Sequence, residues 1–479
     1  MSATTQLDNQ KQIFGHPAGL YVLFFVEMWE RFSYYGMRAL LTLFLVAPII
    51  AGDPQSGYGW TNAETISFYG TYTMFVYLTS IPGGWVADRF IGQKKAVMLG
   101  GLLLCLGHGI LAIDAQWAFF TGLILIVIGV GFLKPNISSM VGGLYKKGDD
   151  RRDRGFYIFY IGINLGAFLG ALIVGAVAAK WGWHYGFGLA GIGMALGQIV
   201  YLYGQKFLKG VGEFSGGSKA SAEEQAARKR PLTKVEKDRM LVMFLSFLII
   251  IVFWGAFEQA GGLMSIYTEQ KTDRVLSFSL PFIGSEVPAA VFQSINAFFI
   301  ITLGTLVGSF WYKWGKKGKE SSSLFKMAIG VIVMGFGFFF MTKASTEVVM
   351  DGENIVEKSA MIWLVLAYLF HTLGELCASP VALSFITKLA PLKYASFMMG
   401  AYFAATGLGN KLAGLVGGLS EGAGEFQVFT GIAIFCTLFG LLIIAILKPL
   451  KRLTHGAEDL EGTKHEEAEG FELADSEAN

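Results

Sequence analysis

The sequence predicts an all-α membrane protein with about twelve transmembrane helices in two six-helix bundles, and three observations support this prediction. Hydrophobic residues make up 53% of the 479 residues and charged residues only 15%, while the mean hydropathy is +0.51. These values exclude an ordinary soluble surface. The apolar residues fall in blocks of about 20 residues or more, the length that a helix needs to cross about 30 Å of hydrocarbon. Lys and Arg are concentrated in the loops after the even-numbered blocks, as expected of a chain that crosses the membrane repeatedly.

Twelve apolar blocks define the predicted helices. Their approximate limits are residues 18–49, 64–88, 95–113, 117–142, 153–179, 184–207, 238–267, 288–312, 322–343, 359–389, 394–417 and 425–449. A glycine-rich and then charged stretch, residues 209–237, predicts a cytoplasmic linker with a helix. It divides an N-terminal bundle (18–208) from a C-terminal bundle (238–450). Two such bundles are typical of transporters that rock one bundle against the other.

The distribution of basic residues predicts the orientation of the chain. Short cytoplasmic loops carry the excess of Lys and Arg, and the loops after the first, third and eleventh blocks contain neither. We therefore expect both the N-terminal segment (1–17) and an acidic, disordered tail (451–479) in the cytoplasm. The first 17 residues lack the features of a secretory signal, so the first helix should direct insertion. The net charge of +2 follows from the loop bias and gives no reason to expect nucleic-acid binding.

Cofactor and enzyme chemistry have no support in the sequence. The three cysteines, Cys105, Cys377 and Cys436, lie inside apolar blocks without paired spacing, which argues against a disulfide framework or a metal site. No nucleophile with a paired base, metal-ligand cluster or phosphate-binding loop stands out. We expect a protein that is not an enzyme and needs no cofactor.

Charged residues inside the first helix are the main functional signal. Each charge at a helix centre costs about 2.5–3.5 kcal/mol on insertion scales, so such residues are functional candidates by default. Six ionisable residues share one face of this helix, within an arc of about 140°. They are Glu27, Glu30, Arg31, Tyr34, Tyr35 and Arg38. Such a stripe predicts a polar cavity; the alternative is a set of internal salt bridges that hold the bundle together.

Further polar residues in other helices predict an electrically polarised cavity. The tenth helix carries one polar face, Tyr368, Thr372, Glu375 and Ser379, before Pro380, a residue type that can break a helix and free backbone carbonyls. Cations come from the N-terminal half (Arg31, Arg38, Lys134), and acids come from the C-terminal half (Glu258, Glu375). A zwitterion fits such a cavity. Asn164 and Asn296 add amides, each of which could equally make a helix–helix hydrogen bond.

Several motifs together resemble a known family. The segment Glu27–Gly36, EMWERFSYYG, resembles the ExxERFxYYG signature of the proton-coupled oligopeptide transporters, the peptide branch of the major facilitator superfamily. Further matches are distributed along nearly the whole chain in the family's order. They are Gly83–Arg89, Phe132–Ser138, Phe159–Gly166, Phe253–Gln259, Phe292–Asn296 and Gly374–Pro380.

The resemblance implies a fold, an activity and roles for individual residues. The implied fold is that of the major facilitator superfamily, and the implied activity is proton-coupled import of di- and tripeptides by alternating access. Proton coupling would fall to Glu27, Glu30 and Arg31. The implied substrate-binding residues are Tyr34, Tyr35, Arg38, Tyr77, Lys134, Asn164, Asn296, Glu375, Ser379 and Tyr402. The implied gate pairs are Arg38 with Glu258 and Lys134 with Glu375, while Asp88 and Arg89 would brace the cytoplasmic side.

Three features depart from the family's pattern. The linker is too short for the two extra helices that most bacterial members carry. Tyr402 occupies the position of the family's usual tryptophan in the eleventh helix, which should alter a side-chain pocket. Gly70 occupies the position of the histidine of animal relatives, so proton transfer would rest on the first helix.

The expected partners are di- and tripeptides, protons as the coupling ion, and the lipid bilayer of the plasma membrane, which is the cell inner membrane in a bacterium. We expect a monomer as the functional unit. Two alternatives remain open: transport of an anion such as nitrate, as in plant relatives, and a receptor that binds a ligand without moving it. Glu258 and Glu375 argue against an anion, and the acidic stripe of the first helix would be unexplained in a receptor.

Overall fold

The computed structural model describes residues 10–146, 149, 151–214, 231–352, 354–391 and 394–457. Most of the predicted linker and most of the predicted acidic tail lie outside the described residues. The described chain is dominated by helices that run back and forth across one slab, with short strands confined to its ends. The all-α prediction is therefore confirmed.

Six helical spans, α1 to α6, form the N-terminal half. α1 is Ala18–Val46; α2 is Asn62–Leu78 followed by Ser80–Val86 and a π turn, Ala87–Ile91; α3 is Gln93–Leu111; α4 is Gln116–Gly143; α5 is Arg151–Leu169 followed by a π turn, Gly170–Val174, and Gly175–Trp181; α6 is Trp183–Gly204 with a 3₁₀ turn, Gln205–Phe207.

Six further spans, α7 to α12, form the C-terminal half. α7 is Lys234–Phe257, a 3₁₀ turn, Glu258–Ala260, and a second segment, Leu263–Lys271; α8 is a 3₁₀ turn, Ala289–Gln293, and Ser294–Lys316; α9 is Ser323–Glu347; α10 is Met361–Leu389; α11 is Ala395–Gly418 with a short turn, Ser420–Ala423; α12 is Glu425–Ala445 followed by Leu447–Arg452.

Nine of these spans, within the described part of the chain, are long and apolar enough to cross a membrane by composition alone. The other three are α1, α2 and α11. α1 carries four charged residues, the main segment of α2 has only 17 residues, and α11 contains Asn410 and Lys411. Polar residues therefore mark the helices that do not face lipid on every side.

One helix interior differs from the prediction. α7, predicted as one helix over 238–267, breaks at Gly261 and Gly262. A side chain at Gly261 would collide with the Tyr69 hydroxyl, and the Gly261 carbonyl accepts a hydrogen bond from Thr42 Oγ1 at 3.0 Å. α10 continues through Pro380 to Leu389, the limit that the sequence predicts.

Short strands pair at the loop ends, which the hydropathy pattern does not predict. The N-terminal strands β1 (Gln12–Ile13) and β2 (His16–Pro17) are antiparallel. Near the loops after α7 and α9, β3 (Thr272–Asp273) pairs in parallel with β8 (Ser359–Ala360). The hairpins β4 (Val275–Leu280) with β5 (Gly284–Glu286) and β6 (Val349–Asp351) with β7 (Asn354–Glu357) complete the set.

The N-terminal segment and the end of the described chain both pack against the helices. In the N-terminal segment, His16 Nδ1 lies 2.8 Å from the Tyr145 hydroxyl. At the other end, residues 451–457, predicted to belong to the disordered tail, fold against the start of α7. Arg239 Nε donates to the Thr454 carbonyl at 3.1 Å, and His455 Nε2 lies 2.8 Å from Asp238 Oδ2.

Each half has its own hydrophobic core. Among the described residues, one buried cluster is formed mainly by residues of α1 to α6 and also contains Ala289 and Ala290. The other is formed mainly by residues of α7 to α12 and also contains Ile66. α2 packs against α11, and α5 against α8, where the halves meet. Tyr34 of the α1 stripe belongs to the N-terminal cluster, and the ion pair of Arg38 with Glu258 joins the two halves.

Candidate functional site

The acidic end of the α1 stripe is a buried cluster of charges. Arg31 Nε lies 3.0 Å from Glu27 Oε1 and also contacts Glu30 Oε2. Glu27, Glu30 and Arg31 are each at most 4% exposed. Lys134, on α4, interacts electrostatically with both carboxyl groups. The charges of the two acids and the two cations therefore cancel, and an added negative charge would leave one carboxylate without a compensating cation.

A second ion pair joins the two halves. Arg38 Nη2, on α1, lies 3.3 Å from Glu258 Oε2 on α7, as the resemblance implies. The Tyr69 hydroxyl of α2 donates to the same carboxylate oxygen at 2.8 Å. The Arg38 guanidinium also lies over the Tyr35 ring, 5.2 Å from its centroid. Removal of either charged partner would leave the other buried without compensation.

Glu375 lies opposite these cations, on α10. Asn296 Nδ2, on α8, donates to Glu375 Oε2 at 2.9 Å and to Thr372 Oγ1 at 3.0 Å. The implied pair of Lys134 with Glu375 is not formed in this structure. Lys134 Nζ instead lies 3.9 Å from the centroid of the Tyr77 ring. An acid held by neutral donors can accept a cationic ligand group.

Asn164 is buried on α5, and its Nδ2 donates to the Tyr160 carbonyl of the same helix at 3.0 Å. The Tyr160 side chain interacts electrostatically with Glu375 across the gap between the halves. Sequence reasoning missed Tyr160 and Tyr69 as site residues. Their spacing in the sequence does not distinguish them from other tyrosines in apolar helices. For Tyr160, the one signal was its place in the motif Phe159–Gly166.

Ser379 and Tyr402 line a small apolar pocket in the C-terminal half. The Tyr402 side chain is 8% exposed and is hydrogen-bonded to Ser379. The other lining residues are Ile249, Ile250, Phe253, Trp254, Met327, Ala378 and Ala382. The pocket opens beside Ser379, one turn of α10 from Glu375, and is suited to an apolar group.

Asp88 and Arg89 lie apart from the charged cavity. They are exposed in the π turn that ends α2, and the Arg89 guanidinium lies over Trp85, 5.7 Å from the ring centroid. Their position at the end of a helix is compatible with bracing a face of the protein, and they have no contact with the α1 stripe.

Contacts between the halves are concentrated at the face opposite the basic loops. Besides the ion pair of Arg38 with Glu258, they include Thr42 Oγ1 to Gly261 O at 3.0 Å, Asn62 Nδ2 to Gln270 Oε1 at 3.2 Å, Ala63 N to Glu421 Oε2 at 2.9 Å, and Lys411 Nζ to Thr71 Oγ1 at 2.7 Å. Nearer the basic face, Tyr157 and Thr305 lie 3.2 Å apart where α5 meets α8. There the polar side chains of Ser139 on α4 and Ser384 on α10 are exposed. The charged side chains between the halves are therefore closed off on the face opposite the basic loops.

The sequence matches the model of the POT family over residues 94–221 and 217–430. The chain belongs to the POT family. It is 33% identical to the peptide transporter YePEPT of Yersinia enterocolitica, over 96% of this chain and 99% of that protein. It is also 33% identical to a di-/tripeptide transporter of Lactococcus lactis, over 93% of this chain and 98% of that protein.

Solved POT structures share the fold. A peptide transporter POT in complex with sulfate superposes with a TM-score of 0.84, at 33% identity over 95% of this chain and 99% of that chain. A POT family transporter in complex with 5-aminolevulinic acid gives a TM-score of 0.83, at 30% identity over 93% and 99%. The predicted family and the major facilitator fold are confirmed, and this POT protein is a multi-pass protein of the plasma membrane.

Proposed function

We propose that the protein imports di- and tripeptides together with protons, by alternating access between its two faces. The observation that carries this proposal is the charge arrangement across the cavity. Arg38 and Lys134 belong to the N-terminal half, and Glu375, which forms no ion pair within the described chain, belongs to the C-terminal half. A zwitterionic peptide complements both. The named peptide transporters among the relatives support the same substrate class.

The peptide would lie between the halves with its carboxylate toward Lys134 and Arg38. Its ammonium group would form an ion pair with the Glu375 carboxylate, next to the Asn296 amide. Charge-assisted hydrogen bonds of this kind are about twice as strong as neutral ones. The hydroxyls and amide of Tyr34, Tyr35, Tyr77 and Asn164 would contact the peptide backbone; the apolar pocket beside Ser379 and Tyr402 would hold a side chain.

Proton coupling follows from the charge balance around Arg31. A peptide carboxylate at Lys134 neutralises the cation that balances Glu27 and Glu30. One of the two carboxylates is then uncompensated in a buried site, and protonation removes the excess charge. Peptide and proton therefore bind best together. One charge that crosses 100 mV releases about 2.3 kcal/mol, enough for roughly fortyfold accumulation at about 1.4 kcal/mol per tenfold.

In alternating access, one face of the protein would close while the other opens. The positive-inside rule places the basic face in the cytoplasm, so this structure corresponds to a state closed to the outside. To open outward, the protein would separate Arg38 from Glu258 and bring the basic ends of α4 and α10 together. Asp88 and Arg89 would brace that closure.

The test is uptake of labelled dialanine into sealed liposomes under an inward proton gradient. We expect uphill accumulation that unlabelled tripeptide blocks and nitrate does not. Glu30→Gln should abolish uphill accumulation, whereas Glu357→Gln, which removes an exposed acid from β7, should not. Dialanine accumulation that does not depend on the proton gradient, or dialanine binding without accumulation, would refute peptide–proton symport.

A further inference from the structure

The hairpin of β1 and β2, which precedes α1, carries a phenylalanine at its tip. Phe14 is 90% exposed. Its φ is 48°, and that of the next residue, Gly15, is 79°. Two-residue turns with two positive φ values favour Asn-Gly or Gly-Gly, because these residues adopt the left-handed conformation at low cost. The turn therefore holds a large apolar ring outward at a cost both in backbone strain and in exposure.

Contacts behind the tip fix the hairpin to the N-terminal half. Arg151, the first residue of α5, donates from Nη1 to the Gly15 carbonyl at 3.0 Å and to Gln12 Oε1 at 3.3 Å. The Ala18 amide donates to the Lys11 carbonyl at 2.7 Å. The ring at the tip cannot fold back onto the helices without breaking these hydrogen bonds.

The Phe14 ring continues an exposed aromatic strip of α1. It packs edge-to-face against Tyr21, with 6.1 Å between the ring centroids. Tyr21 is half-buried, and Phe25, one turn further along α1, is 44% exposed. At about 100° per residue, the middle of this pair lies about 130° around the helix from the middle of the charged stripe. The strip therefore faces lipid and not the cavity.

The length of α1 places this strip at the edge of the membrane. A helix of 29 residues is about 44 Å long, so it extends about 7 Å beyond each edge of a hydrocarbon layer of about 30 Å when it is centred there. Tyr21 lies about 4.5 Å and Phe25 about 10 Å from the cytoplasmic end of α1, so that edge falls between them. The Phe14 ring, beside Tyr21, is therefore level with the lipid headgroups, where apolar rings can insert. Lys11 is exposed on the same hairpin and can contact the anionic headgroups of the cytoplasmic leaflet.

We infer that Phe14 is a membrane anchor, whose ring inserts between the phospholipid headgroups of the cytoplasmic leaflet. The anchor fixes the depth of the N-terminal hairpin and, through Arg151, that of the start of α5. The interaction explains why an exposed ring occupies a turn position that favours Asn or Gly. It does not depend on the proposed transport function, and its test requires no transport.

The first measurement is the depth of the ring in lipid nanodiscs. Trifluoromethylphenylalanine at position 14 keeps the aromatic ring and gives a fluorine NMR signal. Dissolved oxygen, which concentrates in hydrocarbon, and a water-soluble gadolinium chelate each relax that signal where they reach it. The same label in place of Phe25 provides the lipid reference, and the label in place of Asp351, on the exposed strand β6, provides the water reference. We expect position 14 to resemble position 25, with stronger relaxation by oxygen than by gadolinium, and position 351 to show the reverse.

The second measurement uses a substitution that suits the turn and removes the ring. Asn is favoured at this position of the turn, so Phe14→Asn would slow hydrogen exchange in the hairpin, or leave it unchanged, if the ring met only water. If the ring is an anchor, the Ala18 amide, which is bonded to the Lys11 carbonyl, should exchange about tenfold faster in nanodiscs, as expected for the loss of one partly buried aromatic side chain. Phe14→Trp keeps an aromatic ring and should keep the wild-type exchange rate.

Three results would overturn the inference. The first is a label at position 14 that gadolinium relaxes as strongly as the label at position 351. The second is hydrogen exchange in Phe14→Asn that is no faster than in the wild type, or a rate in Phe14→Trp that equals the rate in Phe14→Asn. The third is a label at position 14 that neither oxygen nor gadolinium reaches, because a protein surface, such as a second copy of the chain, would then cover the ring in place of lipid.

Discussion

Replacement of Glu375 by Gln removes a charge from the cavity and leaves its geometry in place. Asn296 Nδ2 donates to Glu375 Oε2 at 2.9 Å, and a Gln carbonyl at that position can accept the same hydrogen bond. What is lost is the attraction for a peptide ammonium group. Hydrogen bonds to charged groups contribute about 1.5–3 kcal/mol, so the Kd of dialanine should rise about 10- to 150-fold.

The assay is a binding titration of the purified protein in detergent, with dialanine and with N-acetylated dialanine. The acetylated peptide has no ammonium group, so its weaker binding should be almost unchanged by Glu375→Gln. Glu357→Gln, at the exposed strand β7, serves as the control for charge removal. Equal losses for both peptides, or no loss for dialanine, would refute the assignment of the amino terminus to Glu375.

Two further outcomes follow from the packing and from the loops. Gly70→Ala should lower the Tm and the uptake rate, because the added Cβ would lie 2.7 Å from backbone atoms of α11. Gly308 has open space around it, so Gly308→Ala should change neither. Equal effects of the two substitutions would contradict the close contact of α2 with α11. Glu320 lies in the loop before α9. Burial raises the pKa of its carboxyl, but hydrogen bonds from Ser322 and Lys451 outweigh burial and lower that pKa to about 2. The stability that the Glu320 carboxylate contributes is therefore present above pH 4.5 and is lost as the pH falls toward 2. Glu320→Gln should lower the Tm slightly at pH 7 and make the Tm fall less between pH 4.5 and pH 2. A parallel decline in both proteins would contradict this role of the pair with Lys451.

The sequence predicted the polar stripe of α1 well because helical spacing alone places its members on one face. Which helix each member meets is a different question. Glu258 was assigned to Arg38 through the family resemblance, and no periodicity would have found it. Tyr69 and Tyr160 were missed as site residues for the same reason, since a tyrosine in an apolar helix acquires a role only from the neighbour that it contacts.

The interruptions of the helices were the least predictable part of the fold. Hydropathy continues across Gly261 and Gly262, so the break in α7 is invisible until the close approach of Tyr69 is known. Pro380 can break a helix because proline removes a backbone donor, yet α10 continues through it. A membrane helix can absorb the lost hydrogen bond when its neighbours hold it in place.

The separation of the two hydrophobic cores affects how the protein can evolve. Stability depends mainly on packing inside each half, whereas the exchange between open and closed states changes a short set of polar contacts where the halves meet. Substitutions of partly exposed polar side chains at that seam, such as Asn62 and Gln270, can therefore make turnover faster or slower with little effect on folding. Substitutions in either core can alter heat resistance with little effect on speed. Selection can act on the two properties at different places in the chain.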